Sequence, residues 1–199
     1  FYNNLVADIK TPNAGIGPNI PYAAGLYLDG NDNIQAYNNS VYLETSSSTG
    51  SLNSSAVYVV ETSPNFQMYN NILVNKSTAG PAGRTVAYWR SGSNITNYTN
   101  GNYNNYFAGT PSARNLVFFN GGISMQTLAA YQAFIGPARD NASVSADPSF
   151  ISTTGGNAGF LRLNPSANCS LIGKGVNVFL LQQDVDLENR MTQSPLICD

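Results

Sequence analysis

The 199-residue chain carries nine Lys and Arg against eleven Asp and Glu, has a formal net charge of −2, and contains no histidine. That balance offers a nucleic-acid backbone nothing to bind, no apolar run approaches the roughly 18 residues of a membrane span, and Ser-His-Asp, Cys-His and His-metal chemistries are excluded. Asparagine is the outlier at 27 residues, yet 42% hydrophobic residues argue against disorder and point to an all-β, extracellular or cell-surface protein.

In chain order, the tripeptide Tyr-Asn-Asn begins at Tyr2, Tyr37, Tyr69 and Tyr103, at spacings of 35, 32 and 34 residues. A β-like run follows each copy: Leu5–Ala7, Val41–Leu43, Ile72–Val74 and Tyr106–Ala108. A second run lies between copies: Gly25–Leu28, Ala56–Val60, Thr85–Trp89 and Leu116–Phe119. These end in Asp29, Glu61, Arg90 and Asn120, at spacings of 32, 29 and 30. Two interleaved periods near 32 residues indicate a solenoid. Gly, Pro and Asn punctuation disfavours the helices that ankyrin and tetratricopeptide repeats need. A single-stranded right-handed parallel β-helix of about four to five coils remains, its hand set by the crossover rule. Phe1 falls partway through a repeat, which implies coils ahead of it.

Strand alternation places Phe66, Met68 and Asn70 inside, with Ile34, Ala36 and Asn38 matching them one coil earlier. Asn38, Asn70 and Asn104 are therefore expected to stack as an internal amide ladder. Asn39, Asn71 and Asn105 are expected at a bend with left-handed backbone angles, and Tyr37, Tyr69 and Tyr103 as an outward file.

Coils are expected over residues 1–120. The remainder, 121–199, reads as a helix-containing connection, a last coil and a C-terminal cap of the same domain. Ser124 is the expected cap of a short helix running to about Phe134, because Met125, Leu128 and Tyr131 fall three apart. Asp147–Phe150 and Phe160–Leu163 read as short strands covering the open solenoid end. Cys169 and Cys198 have no neighbours suited to a metal site. They are read either as a disulfide stapling the tail or as two buried thiols.

Four motifs carry a resemblance: Asp147-Pro148-x-Phe150, Phe160-x-Leu-x-Leu-x-Pro165-Ser166, Ile172-Gly173-x-Gly175 and Asp184-x-Asp186-x-x-x-Arg190. Together they resemble the C-terminal region of secreted bacterial right-handed parallel β-helix repeat proteins with a choice-of-anchor ending. The likeness covers residues 120–199 best and reaches 1–119 through the Asn repeats. It implies the fold and an extracellular setting. It implies no activity, since such scaffolds carry lyases, hydrolases, adhesins and inert stalks alike. Where that family has a small residue before Ile-Gly, this chain has Cys169-Ser170-Leu171, a departure that favours the disulfide.

Several groups carry candidate chemistry, each beside a simpler reading. Asp29, Glu61 and Arg90 would stack about 5 Å apart as a catalytic or cation-binding edge, or as an exposed ladder in which Arg90 neutralises Glu61. Asp184, Asp186 and Glu188 alternate like a Ca²⁺ loop, or pair with Arg190; Ca²⁺ is the one cofactor the residues suggest. The Asp29–Asn33 turn is similar but reads as an ordinary Gly/Asn/Asp turn. Tyr37, Tyr69 and Tyr103, with Tyr2, could stack on sugar rings or on one another, and Trp89 beside Arg90 could belong to a sugar groove or pack in the core. The expected function is the C-terminal part of a secreted β-helix with a non-catalytic carbohydrate-binding or structural stalk/adhesin role. The alternative is a polysaccharide lyase or glycoside hydrolase. The expected partner is a polysaccharide or cell-surface glycan, bound by a monomer, with no nucleic acid.

Overall fold

A computed structural model describes residues 1–11, 20–30, 33–48, 50–178 and 183–187. Its strands are β1 (Leu5–Val6), β2 (Ala23–Leu28), β3 (Gln35–Tyr37), β4 (Ser40–Leu43), β5 (Asn53–Val59) and β6 (Phe66–Tyr69). They continue as β7 (Ile72–Asn75), β8 (Arg84–Arg90), β9 (Tyr98–Asn102), β10 (Asn105–Phe107), β11 (Asn115–Phe119) and β12 (Ser124–Met125), followed by α1 (Leu128–Ile135). Every third strand pairs in parallel, giving the sheets β1-β4-β7-β10, β2-β5-β8-β11 and β3-β6-β9. This is the expected parallel β-solenoid, since strands that meet their successors one turn later can only be parallel.

The solenoid makes about three turns rather than four to five. After β11 the Asn120 side chain accepts from the amides of Gly122 (3.3 Å) and Ile123 (2.8 Å), closing a turn with Gly121 at φ 86°. That turn reverses the chain, so β12 pairs antiparallel with β11 and no further coil forms on that sheet. Ser124 is thus a strand residue; the helix cap is Thr127, whose hydroxyl accepts from the Ala130 amide. The helix buries Tyr131 and Ile135, and the Tyr131 ring stacks on Phe118 (5.0 Å, 27°), closing this end of the core. The expected strands near Asp147 and Phe160 reduce to single bridges, Phe150↔Leu163 and Ser152↔Phe160.

Inside, Leu28, Val59, Phe66, Met68, Leu73, Tyr88, Tyr98, Tyr106 and Phe118 join one cluster among the three sheets. Core side chains enlarge toward α1: Val57 stacks under Tyr88, which stacks under Phe118. A second buried cluster contains Tyr58, Val86, Trp89, Leu116 and Phe119. Its aromatic file Tyr58–Trp89–Phe119 continues in register onto the exposed Tyr27, with centroids 5.1, 6.4 and 4.9 Å apart from Tyr27 onward.

The asparagine faces are exchanged relative to expectation. Asn38 and Asn70 take the left-handed angles (φ 53° and 57°), and this corner resets the alternation so that Asn39 and Asn71 face inward. In the next coil the Tyr-Asn-Asn triplet sits one residue late, because Asn105 pairs with Ile72. Asn104 therefore fills the inward position, and Tyr103 the left-handed corner at φ 58°. A tyrosine there costs about 1 kcal/mol relative to Asn or Gly.

Candidate functional site

The interior ladder runs Asn4–Asn39–Asn71–Asn104. Each Nδ2 donates to the next Oδ1, at 2.8, 2.8 and 2.9 Å. The matching backbone amides donate to the same oxygens, at 3.1, 3.1 and 3.0 Å. Both donors of Asn4, Asn39 and Asn71 thus reach the oxygen of the next coil, which keeps the buried amides of Asn39 and Asn71 satisfied without water. Asn38 and Asn70 form a shorter outer pair (2.9 Å), and Asn70 also exchanges two hydrogen bonds with the Val176 backbone, at 2.9 and 2.6 Å. This contact ties the C-terminal segment to the solenoid corner.

The ladder ends at a group that sequence reasoning missed. The Asn104 amide donates to Ser143 Oγ (2.9 Å), and its Nδ2 donates to Asp140 Oδ1 (3.0 Å). Asp140 is fully buried. Its Oδ1 also accepts from Ser143 (2.6 Å) and Tyr106 (3.1 Å), and its Oδ2 from Tyr98 (2.7 Å) and Tyr131 (3.0 Å). Five donors converge on one carboxylate, which is how a buried anion is held without an ion pair. Burial first, and the Asp140 charge second, hold the hydroxyls of Tyr98, Tyr106 and Tyr131 protonated well above the ordinary tyrosine value. The neighbouring Arg139 lies over the Tyr98 ring (5.9 Å) and donates to the carbonyls of Ile95, Tyr98 and Ile135. No local periodicity marks this set: the three tyrosines come from β9, β10 and α1, and Asp140 from the turn beyond.

On the surface, Tyr2, Tyr37 and Tyr69 are in register at the same corner. The rings of Tyr37 and Tyr69 meet edge to face at 5.7 Å, and the Tyr37 hydroxyl donates to Gln67 Oε1 (2.8 Å). Tyr2 is 60% exposed, Tyr69 half-buried and Tyr37 buried. Tyr69 pairs with Asn102, so Tyr103 stands one residue outside the file. Trp89 lies on the other face of its strand from Tyr88 and is completely enclosed.

The Asp29–Glu61–Arg90 edge is out of register, although Glu61 and Arg90 remain neighbours that both bond Asn94. Arg90 pairs in register with Val59, and Val59 with Leu28. Arg90 is buried, donating to Tyr88 Oη (2.9 Å) and the Asn94 carbonyl (3.0 Å). The half-buried Glu61 instead uses Oε1 to accept the Asn94 amide (2.9 Å), and Asp29 is exposed. Among the described residues, the ion pairs join Lys10 to Asp8, Lys76 to Asp147, and Arg162 to Asp186. Asp184 accepts the Asp186 amide (2.8 Å), closing a local turn. Glu188 and Arg190 lie outside the described residues, as do Asn31 and Asp32. Among the described residues no three carboxylate or thiol groups gather as a metal site. Cys169 is an exposed free cysteine, and Cys198 lies outside the described residues.

A cleft of about 220 Å³ opens between β10, β11 and the start of α1, lined by Phe107, Val117 and Leu128 with Asn115, Gln126 and Ser145. No helix among the described residues is long and apolar enough to cross a membrane. Comparison with known protein families, with curated proteins and with solved structures finds no match.

Proposed function

We propose that this chain is a non-catalytic part of a secreted or cell-surface bacterial β-helix protein, and that it binds carbohydrate through the Tyr2–Tyr37–Tyr69 corner. The observation that supports this reading is the in-register file itself. One ring is largely exposed, one half-exposed, and the ring between them is pinned by Gln67. The exposed Tyr2 ring and the half-exposed Tyr69 ring, held in register on either side of Tyr37, offer aromatic surface at fixed positions, which suits stacking against sugar rings. The lyase or hydrolase alternative draws less support, because Arg90 is enclosed and directed at Tyr88 and Asn94 rather than at a groove beside Glu61.

A glycan array probed with the parent chain and with Tyr2→Ala, Tyr69→Ala and Tyr103→Ala variants tests the proposal. Binding is expected to fall at least about tenfold for Tyr69→Ala, which corresponds to the 1.4 kcal/mol of a lost ring contact. Tyr103→Ala, outside the file, is expected to retain it. A parent chain that captures no glycan, or a Tyr2→Ala/Tyr69→Ala double variant that binds as well as the parent, ends the carbohydrate reading.

A further inference from the structure

The two ends of the solenoid differ in chemistry. At the far end β12, α1, Ser143 and Asp140 close both the sheet edge and the ladder. At the near end, β1 and β2 are the outermost strands of their sheets. The Tyr22 amide donates to the Asn53 carbonyl (2.8 Å) and the Leu28 carbonyl accepts from Val60 (2.9 Å), so residues of even number in β2 face β5. By the alternation of a parallel ladder, the backbone groups of Ala23, Gly25 and Tyr27 face the open side. Apolar exposure concentrates here as well. Of the eight large hydrophobic side chains exposed among the described residues, Phe1, Tyr2, Ile20, Tyr22 and Tyr27 all precede β3. Among the described residues nothing pairs with that edge, and an unpaired edge combined with exposed rings is the pattern that pairs with another strand.

The direction of the ladder specifies what fits. In every step the asparagine Oδ1 accepts two hydrogen bonds from the coil before it. The hydroxyl row runs the same way: the Thr11 amide donates to Thr45 Oγ1, and the Thr45 amide to Ser77 Oγ. Asn4 is exposed, whereas Asn39, Asn71 and Asn104 are buried, and Asn4 Oδ1 has no donor among the described residues. The near end therefore presents acceptors and asks for a backbone amide and a side-chain amide together. A second copy cannot supply them. Its near end carries the same acceptor, and its far end spends the Asn104 donors on Ser143 and Asp140.

We infer that the Asn4 end of the solenoid is a docking surface for one further parallel β-coil that carries an asparagine at the ladder position. This inference shares Tyr2 with the carbohydrate reading but rests on the Asn4 ladder position and the β2 edge, which that reading does not use.

The test joins a copy of residues 36–67 directly ahead of Phe1, which sets the copied Asn39 one 32-residue coil before Asn4. A second version carries the copied Asn39→Leu. Hydrogen exchange at Ala23, Gly25 and Tyr27 reads edge pairing, thermal unfolding reads the gain in stability, and sedimentation reads self-association. Exchange at these three amides is expected to slow by at least about tenfold on adding the coil, with a higher Tm that the Leu version loses in large part. Unchanged exchange overturns the inference. So does a Leu version as stable as the Asn version, which would mean the ladder does not select the partner. Concentration-dependent dimers of the unextended chain that already protect these amides would assign the surface to a second copy instead.

Discussion

Replacing Asp140 by Ala removes the acceptor at which the whole amide ladder terminates. Five donors lose their partner: Asn104 Nδ2, Ser143 Oγ, and the hydroxyls of Tyr98, Tyr106 and Tyr131. Hydroxyls rotate, so some re-pair with one another; Tyr98 and Tyr106 are close enough to interact. Asn104 Nδ2 retains its second bond, to the Met68 carbonyl (3.0 Å). Two groups left unsatisfied at about 1–3 kcal/mol each give an expected loss of about 2–6 kcal/mol. For a chain of this size that lowers Tm by about 4–24 °C, at about 2–4 °C per kcal/mol. Asp140→Asn keeps the volume and one acceptor oxygen, and its amide can donate to tyrosine oxygens that rotate to accept. Its loss should be smaller than that of Ala. Thermal and urea unfolding followed by circular dichroism measure both variants. If Asp140→Ala costs less than about 1 kcal/mol, the carboxylate is not the anchor described above.

Asn71→Leu removes one rung while keeping nearly the same volume. It strands the Asn39 amide and takes a donor from the Ala36 carbonyl, while Asn39 Nδ2 keeps the Phe1 carbonyl and Asn104 Oδ1 keeps the backbone amide of residue 71, and it is expected to cost about 1–3 kcal/mol in urea unfolding. A neutral result would mean that the ladder is ornamental to stability. Alkaline pH tests the tyrosine cluster. The folded pKa values of Tyr98, Tyr106 and Tyr131 are raised above the ordinary 10.0, so the unfolded chain releases these protons first. Their stabilisation is intact below pH 10 and declines as pH rises from there toward the folded values. Ultraviolet titration should show these three ionising only as the fold is lost; ionisation near pH 10 in a chain that stays folded would contradict the buried network.

The repeats of the sequence carried the fold. Runs after each Tyr-Asn-Asn copy became β1, β4, β7 and β10, and the intervening runs became β2, β5, β8 and β11. Both signals are local, a period near one coil and short β-forming runs between Asn and Gly, and parallel stacking follows from them with little freedom. The inward placement of Phe66 and Met68 was equally legible, because alternation holds within a strand.

At corners and at the solenoid end the tertiary structure decided. One left-handed residue, Asn38 or Asn70, resets which neighbour faces inward, and that reset exchanged the roles of the two asparagines. A one-residue slip in the coil containing Tyr103 placed a tyrosine where the earlier coils have asparagine, an offset that a triplet count does not detect. The offset of Glu61 from Arg90 is likewise a matter of register, since β5 and β8 align Arg90 with Val59 and leave Glu61 two residues beyond the strand end. The Asp140 cluster joins residues up to 42 positions apart across two strands, a helix and a turn. Such a network has no spacing to read: only the folding of α1 over the end of the core brings three tyrosines to one carboxylate.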